Sequence, residues 1–340
     1  MTDRLDPRRI EKLIASFGEL RLLVVGDVML DEYLWGDVDR VSPEAPVPVV
    51  HVERESLALG GAGNVVRNIV AMGVECLVCA VVGNDWAGDR VIDLLENLGV
   101  DPKGVVRVRD RPTTRKTRVE ARSQQMLRFD RETDEPISSP ASRRLLRAVD
   151  TALSGVQGVI LEDYGKGLLP IRVLRAAMRR FNQAGIPVAV DPKSSVASYR
   201  GADLFKPNLR EVAALTGARI RSEHELYRAV ARLRSRLGSG DIVVTRGSDG
   251  MTIFEGDAPP VDVPIAHSEV FDVQGAGDTS IAALTLTRLA GGTLLEAAVV
   301  ANAAAGVVVG KVGTATANPE EIEALLPATI AAARASRRQA

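Results

Sequence analysis

The run Val156-Gln157-Gly158-Val159-Ile160-Leu161-Glu162, a helical stretch over 170–183 and the run Ile186-Pro187-Val188-Ala189-Val190 read as strand, helix, strand. Both strand runs are mostly apolar without alternation, as strands buried on both faces are. Further on, strands are expected over 203–206, 241–246 and 250–255, and helices over 208–216, 222–236, 276–289 and 293–310, with a last helix from Pro319. Towards the beginning, Leu20-Arg21-Leu22-Leu23-Val24-Val25-Gly26-Asp27 is another short apolar run, ending in Gly-Asp. Strands alternating with helices call for an α/β fold, with a mainly parallel central sheet covered by helices on both faces. Such sheets bind ligands beyond the carboxyl ends of their strands. With no internal repeat or linker evident in 340 residues, a single domain over 1–340 is expected.

Two stretches break the alternation. Tyr33 to Val52 is punctuated by Pro43, Pro46 and Pro48, which suit an edge strand or a small separate sheet. Thr113 to Glu120 and Gln124 to Asp130 read as two further extended pieces. Together they suggest a small β-sheet lid, formed by about 32–53 and 111–131, inserted in the α/β body. The second stretch is strongly basic, with Arg109, Arg111, Arg115, Lys116, Arg118, Arg122, Arg128 and Arg131. A solvated surface and a nucleic-acid patch are two readings of it, but Phe129 is the only aromatic there and single strands need stacking rings. Basic side chains on a lid closing over a substrate that already carries a phosphate fit better.

Composition narrows the classes. Apolar residues make up 46% of the chain, enough for a large core, and the formal net charge of −1 offers no whole-chain argument for nucleic acid or an anionic membrane. The charged start, with Arg4, Arg8, Arg9, Glu11 and Lys12, has no apolar core of a signal peptide, so a cytoplasmic location is expected. The run from Ala297 to Gly310 contains Asn302 and is too short to span a bilayer, so it reads as a buried helix. Cys76 and Cys79 lie in a strand-like run, where positions three apart face opposite sides, and no second Cys or His pair accompanies them.

The candidate chemistry sits at glycine turns and strand ends. Asp272-Val273-Gln274-Gly275-Ala276-Gly277-Asp278-Thr279 runs into an apolar helix, whose unpaired N–H groups and positive dipole end can hold an anion. Asp278 in that turn is either a base for an attacking hydroxyl or an ordinary first-turn helix acid. Leu59-Gly60-Gly61-Ala62-Gly63-Asn64 opens a second helix, and its glycines let a ligand approach the backbone closely, though a tight turn would look the same. Asp31, just past the first strand, is a candidate for binding hydroxyls. Asn208-Leu209-Arg210-Glu211 is either a magnesium and phosphate element or a helix capping box, and Asn318-Pro319-Glu320-Glu321 has the same spacing with a purely structural look. Lys166, in Asp163-Tyr164-Gly165-Lys166-Gly167, and Lys193 lie in strand-end loops suited to phosphate, and Thr245 to Gly250 is a turn between strands.

Gly60-Gly61 with Asn64, then Asn208 to Glu211, then Gly275 to Asp278 resemble, in order and spacing, the ribokinase-like (phosphofructokinase B type) sugar kinases. The likeness spans nearly the whole chain and implies a Rossmann-like fold and ATP-dependent phosphorylation of a sugar. Within that family, Gly26 to Asp31, Val41 to Val49, Gln124 to Arg128 and Asp163 to Gly167 look like the kinases that phosphorylate D-glycero-β-D-manno-heptose 7-phosphate at C1 on the way to ADP-heptose, a precursor of lipopolysaccharide core. The resemblance implies Asp278 as catalytic base and the N–H groups of Gly275, Ala276 and Gly277 as an anion hole. It implies Lys193, Asn208, Thr245, Gly247 and Asn302 about ATP, and Asn208 and Glu211 on Mg²⁺ through water. It places Asp31, Gly60, Gly61, Asn64 and Asp163 on sugar hydroxyls, with Lys116, Arg118, Arg122 and Lys166 as candidates for the 7-phosphate. A monovalent cation such as K⁺ beside the anion hole and a homodimer paired through the lid also follow from it. Gln274 stands where relatives usually have Thr, and Ser123 where Asn is usual. Many such kinases are fused to a nucleotidyltransferase, but His51, His224 and His267 are isolated and no His-x-Gly-His string occurs, so the kinase alone is expected. The alternatives are a kinase for another sugar phosphate or a nucleoside, and a silent sugar- or nucleotide-binding regulator.

Overall fold

The computed structural model describes residues 5–122, 124–193, 196–238, 240–266, 272–311 and 313–339; Ser123 and His267 lie outside them. Its strands are β1 Arg21–Gly26, β2 Val28–Val41, β3 Pro48–Gly61, β4 Glu75–Gly83, β5 Val105–Val108, β6 Arg115–Ala121 and β7 Gln124–Arg131. They continue with β8 Gly158–Glu162, β9 Val188–Asp191, β10 Leu204–Phe205, β11 Asp241–Thr245, β12 Met251–Phe254 and β13 Val261–Val263. The helices are α1 Pro7–Ala15, α2 Ala62–Ala71, α3 Trp86–Asn97, α4 Ser139–Ala152, α5 Ile171–Ala184, α6 Leu209–Thr216, α7 Glu223–Leu237, α8 Ala276–Leu289, α9 Leu294–Val309 and α10 Pro319–Gln339.

The central sheet has nine strands in the order β13-β12-β11-β10-β9-β8-β1-β4-β5. From β5 to β11 neighbours run parallel, and β12 and β13 add an antiparallel edge. The expected α/β architecture is therefore present, and the strand order reverses direction about β1 and β8, where ligands of such sheets bind. Alternate residues of β1 separate into two cores. Leu22 and Val24 join the cluster with α2, α8, α9 and α10, whereas Leu23 and Val25 join the cluster with α4, α5 and α7. Cys76 and Cys79 divide the same way, as strand periodicity requires. Both are buried, and burial pushes the Cys79 thiol up to about 12, so neither is a reactive thiolate.

β2, β3, β6 and β7 form a separate four-stranded sheet in the order β3-β2-β6-β7. β2 and β3 run on to Val28 and Gly61, well beyond the bounds read from the prolines, so this sheet grows directly out of the end of β1. That continuity brings Asp31 and the Gly60-Gly61 turn together, with Leu30 paired to Leu59 and Asp31 to Ala58. α8 and α9 are buried on nearly all sides, which explains their lack of a polar face. Among the described residues no helix is long and apolar enough to cross a membrane.

Candidate active site

Asp278 lies in the first turn of α8, which starts after Gly275 in a left-handed conformation at φ 78°. A side chain at Gly275 would also run into the Asn64 amide, so glycine is required there on two counts. Tyr164 Oη donates to Asp278 Oδ1 at 2.6 Å and Asn64 Nδ2 donates to Oδ2 at 2.7 Å. The carboxyl is buried, and burial raises it to about 6, opposed by those two hydrogen bonds and by Lys206, with the Asp191 charge adding to the rise. It remains ionised at neutral pH and close to the range where a base transfers protons well. Asn64 is fixed in turn, since its Oδ1 accepts from Arg67 Nη1 at 3.2 Å and Arg67 also donates to the Thr314 carbonyl.

A cluster of opposite charges lies behind this acid. Lys206 Nζ sits 2.6 Å from Asp191 Oδ2 and is 3% exposed, which makes it a buried ion pair. Burial would lower the ammonium pKa, but Asp191 and Glu162 outweigh it and hold the lysine charged. Lys206 also faces Gly277, where a Cβ would stand 3.8 Å from its ammonium. Glu162, at the end of β8, is fully enclosed, and its Oε2 has no hydrogen-bond partner among the described residues. Burial and the Asp191 and Asp278 charges push Glu162 well above the usual carboxylate range.

Asn208 and Glu211 form a complete capping box at the start of α6, at 2.9 Å in each direction. Asn318 and Glu321 form the same box at α10, exposed to solvent. What separates the two is surroundings, because burial and the Asp191 charge raise Glu211 while Lys206 and Lys193 lower it. A magnesium ion held by one or two carboxylates, waters and phosphates fits this setting. The unpaired Glu162 oxygen among carboxylates points the same way, and no group of three ligating side chains forms a dedicated cage among the described residues.

Among the residues expected to meet a sugar, Gly60 leaves room for Asp31, whose Oδ2 would lie 2.3 Å from a Cβ there. Gly61 adopts φ 57° and turns the chain into α2, with the Ala62 N–H donating to the Asp27 carbonyl. Asp31 Oδ1 is paired with Arg118 at 2.7 Å, both nearly buried. Asp163 accepts from the Gly165 N–H and from Tyr199 Oη. Asp27 caps the same loop by accepting from the N–H groups of Tyr164 and Lys166, and burial and Asp163 raise it to about 6. Lys116 and Lys166 meet at Glu132. Arg122 sits at the β6–β7 corner, largely exposed, on Asp37 and the Val38 carbonyl, about 20 Å of strand beyond Lys116.

The nucleotide candidates are more dispersed. Thr245 ends β11 and bridges to Asn208, while Gly247 follows at φ 62°. The Lys193 side chain is exposed and its N–H donates to Tyr199 Oη. Asn302 is buried and donates to the carbonyls of Val263 and Pro264. Gln274 Oε1 accepts from Tyr33 Oη at 3.2 Å, and Asp272 accepts from the N–H groups of Gln274 and Gly313. Gln274 thus ties the glycine turn to the four-stranded sheet.

The family model for pfkB family carbohydrate kinases matches residues 19–321. The chain belongs to the pfkB family. It is 43% identical to the bifunctional protein HldE of Pelobacter propionicus and 44% identical to that of Geotalea uraniireducens, each over 319 residues. Those matches cover 94% of this chain and 65% of each relative, so the chain spans about two thirds of their length. Escherichia coli phosphofructokinase-2 in complex with potassium superposes with a TM-score of 0.77 at 18% identity, over 91% of this chain and 99% of that one. Arabidopsis thaliana ribokinase complexed with ribose and ATP gives 0.70 at 22% identity, over 90% and 98%. The family is one of carbohydrate kinases, phosphotransferases whose acceptor is an alcohol group.

Several residues near the candidate groups carry no motif signal of their own in the sequence. Tyr164, Glu162, Asp191, Lys206 and Glu132 were not singled out, although Glu162 and Asp191 both end buried strands and that position alone is a signal. Lys206 ends the next strand run in the same way and carried no recognised motif.

Proposed function

We propose that this chain transfers the terminal phosphoryl group of ATP to the C1 hydroxyl of D-glycero-β-D-manno-heptose 7-phosphate, giving the 1,7-bisphosphate used to make ADP-heptose. The observation that carries the reading is the buried Asp278 carboxylate, held by Tyr164 and Asn64 beside the start of α8. The motif strings shared with heptose 7-phosphate kinases and the meeting of Lys116 with Lys166 support the substrate.

Asp278 takes the C1 proton as that oxygen attacks the terminal phosphorus and the bond to the ADP oxygen breaks. Tyr164 and Asn64 hold the carboxylate in one orientation, so no reorganisation is needed at the moment of transfer. The N–H groups of Gly275, Ala276 and Gly277 at the positive end of α8 stabilise the charge that develops on the phosphoryl oxygens. Lys193, Asn208, Thr245 and Gly247 would line ATP, Asn302 supporting the loop beside it, and Asn208 and Glu211 would hold Mg²⁺ through water. When bound, the ion neutralises phosphate charge. Asp31, Gly60, Gly61, Asn64 and Asp163 orient the sugar, and Lys116, Arg118 and Lys166 face its distal phosphate. A monovalent cation beside the Asp272 to Gly275 turn and a cytoplasmic location belong to the same proposal. So does a homodimer through the four-stranded sheet, whose edge strand β7 exposes Leu127 and Phe129.

A panel of sugars with and without a terminal phosphate, assayed with Mg-ATP for ADP release, tests the reading. The heptose 7-phosphate is expected to give the highest kcat/KM, and equal turnover of unphosphorylated sugars would refute it.

A further inference from the structure

We propose that Glu132 competes with the substrate's distal phosphate for Lys116 and Lys166, and so sets how strongly the site favours phosphorylated sugars. The inference rests on the function proposed above. Glu132 Oε1 lies 2.5 Å from Lys166 Nζ and its Oε2 lies 3.2 Å from Lys116 Nζ. One carboxylate therefore bridges two ammonium groups delivered by different elements, one on β6 and one in the loop after β8. Two phosphate oxygens bridge cations in the same manner, with more charge. The three side chains are only 17%, 21% and 27% exposed, so the contacts are partly shielded from water. Burial pushes Glu132 up, but the hydrogen bonds and charges of Lys166 and Lys116 outweigh it and hold the carboxyl below its usual range. Glu132 is thus a fixed negative charge at working pH.

Lys116 has a second carboxylate, Asp130, but the two acids differ in freedom. Asp130 is locked in β7 opposite Lys116 and also holds Arg128. Glu132 lies just past the end of β7 in coil, so it can withdraw without breaking a ladder. Arg118 is engaged separately, by Asp31. A phosphate that takes the two lysines consequently exchanges with Glu132, and a sugar without a phosphate leaves the Glu132 contacts in place.

Glu132→Gln keeps the shape and removes the charge. KM for the heptose 7-phosphate is expected to fall by about two- to fivefold, the scale of a partly exposed ion pair, with the change in KM and not in kcat. Binding of inorganic phosphate, measured by calorimetry with Lys116→Met as the reference lacking one cation, is expected to tighten by a similar factor. A rise in KM like that caused by Lys116→Met would overturn the proposal, since Glu132 would then be orienting the lysines. Unchanged phosphate binding in Glu132→Gln would overturn it as well. A wild type that prefers another sugar refutes the proposed substrate alone, because the phosphate measurement does not depend on which sugar is used.

Discussion

Replacing Asp278 by Asn is expected to make the protein more stable and nearly inactive. Moving a carboxyl from 3.8 to about 6 places about 3 kcal/mol on the ionised form in the folded state. An amide offers one acceptor where Asn64 and Tyr164 present two donors, so one hydrogen bond is lost, at about 1 kcal/mol. The net gain at pH 8 is about 2 kcal/mol. The sign follows from the raised pKa. The stability Asp278 contributes is full below 3.8 and is lost as the pH rises through about 6. The advantage of the Asn variant is therefore largest at pH 8, mostly gone by about pH 5 and absent near 3.8. Scanning calorimetry at the two higher pH values checks this, with a higher Tm for the variant at pH 8 and nearly equal values at pH 5. ADP-release assays on the same protein should show kcat lower by about 10²- to 10⁴-fold, the usual share of a general base. A variant that melts at or below wild type at pH 8 would refute the account of the buried charge, and one that keeps wild-type kcat would refute the base.

Tyr164→Phe removes a hydrogen bond that lowers Asp278, so the acid limb of kcat/KM should move to higher pH; an unmoved limb means that another group titrates there. Glu211→Gln should raise the Mg²⁺ concentration for half-maximal rate by about tenfold or more, read from a Mg²⁺ titration. Asn318→Ala at the matching exposed box should leave that titration alone and cost about 1 kcal/mol of stability in a denaturant melt. Glu replacing Leu127 and Phe129 together should convert a dimer to a monomer in light scattering, and a wild type that is already monomeric excludes pairing through β7.

The α/β class was legible because buried strands, amphipathic helices and wholly apolar helices carry local signals, from Leu22-Leu23-Val24-Val25 through the Ala-rich α9. The glycine turns were legible for a similar reason. Gly275 and Gly61 each need a backbone conformation other residues avoid, and a close neighbour sits where their side chains would be. Less visible were β5, β13 and helices α1, α3 and α4, short or partly polar segments defined by what they cover. The near ends of β2 and β3 are hidden in the sequence because prolines mark only their far turn, whereas the near ends continue an apolar run from the core.

Sequence by itself determined the family, the Asp278 turn and a set of candidate acids and amides, because each lies in a contiguous string whose spacing carries meaning. Partners were decided by the tertiary structure. Two capping boxes of identical spacing became one half-buried beside Lys206 and one in solvent, a difference set by the neighbours of α6 and α10 and not by their residues. The same holds for the basic lid. Its sequence offered equivalent cations, and folding sent Arg118 to Asp31, Arg122 to Asp37 and Lys116 to meet Lys166 at Glu132. Charge pairing of this kind depends on chain segments far apart in order, which is why only the folded chain shows which acid each cation meets.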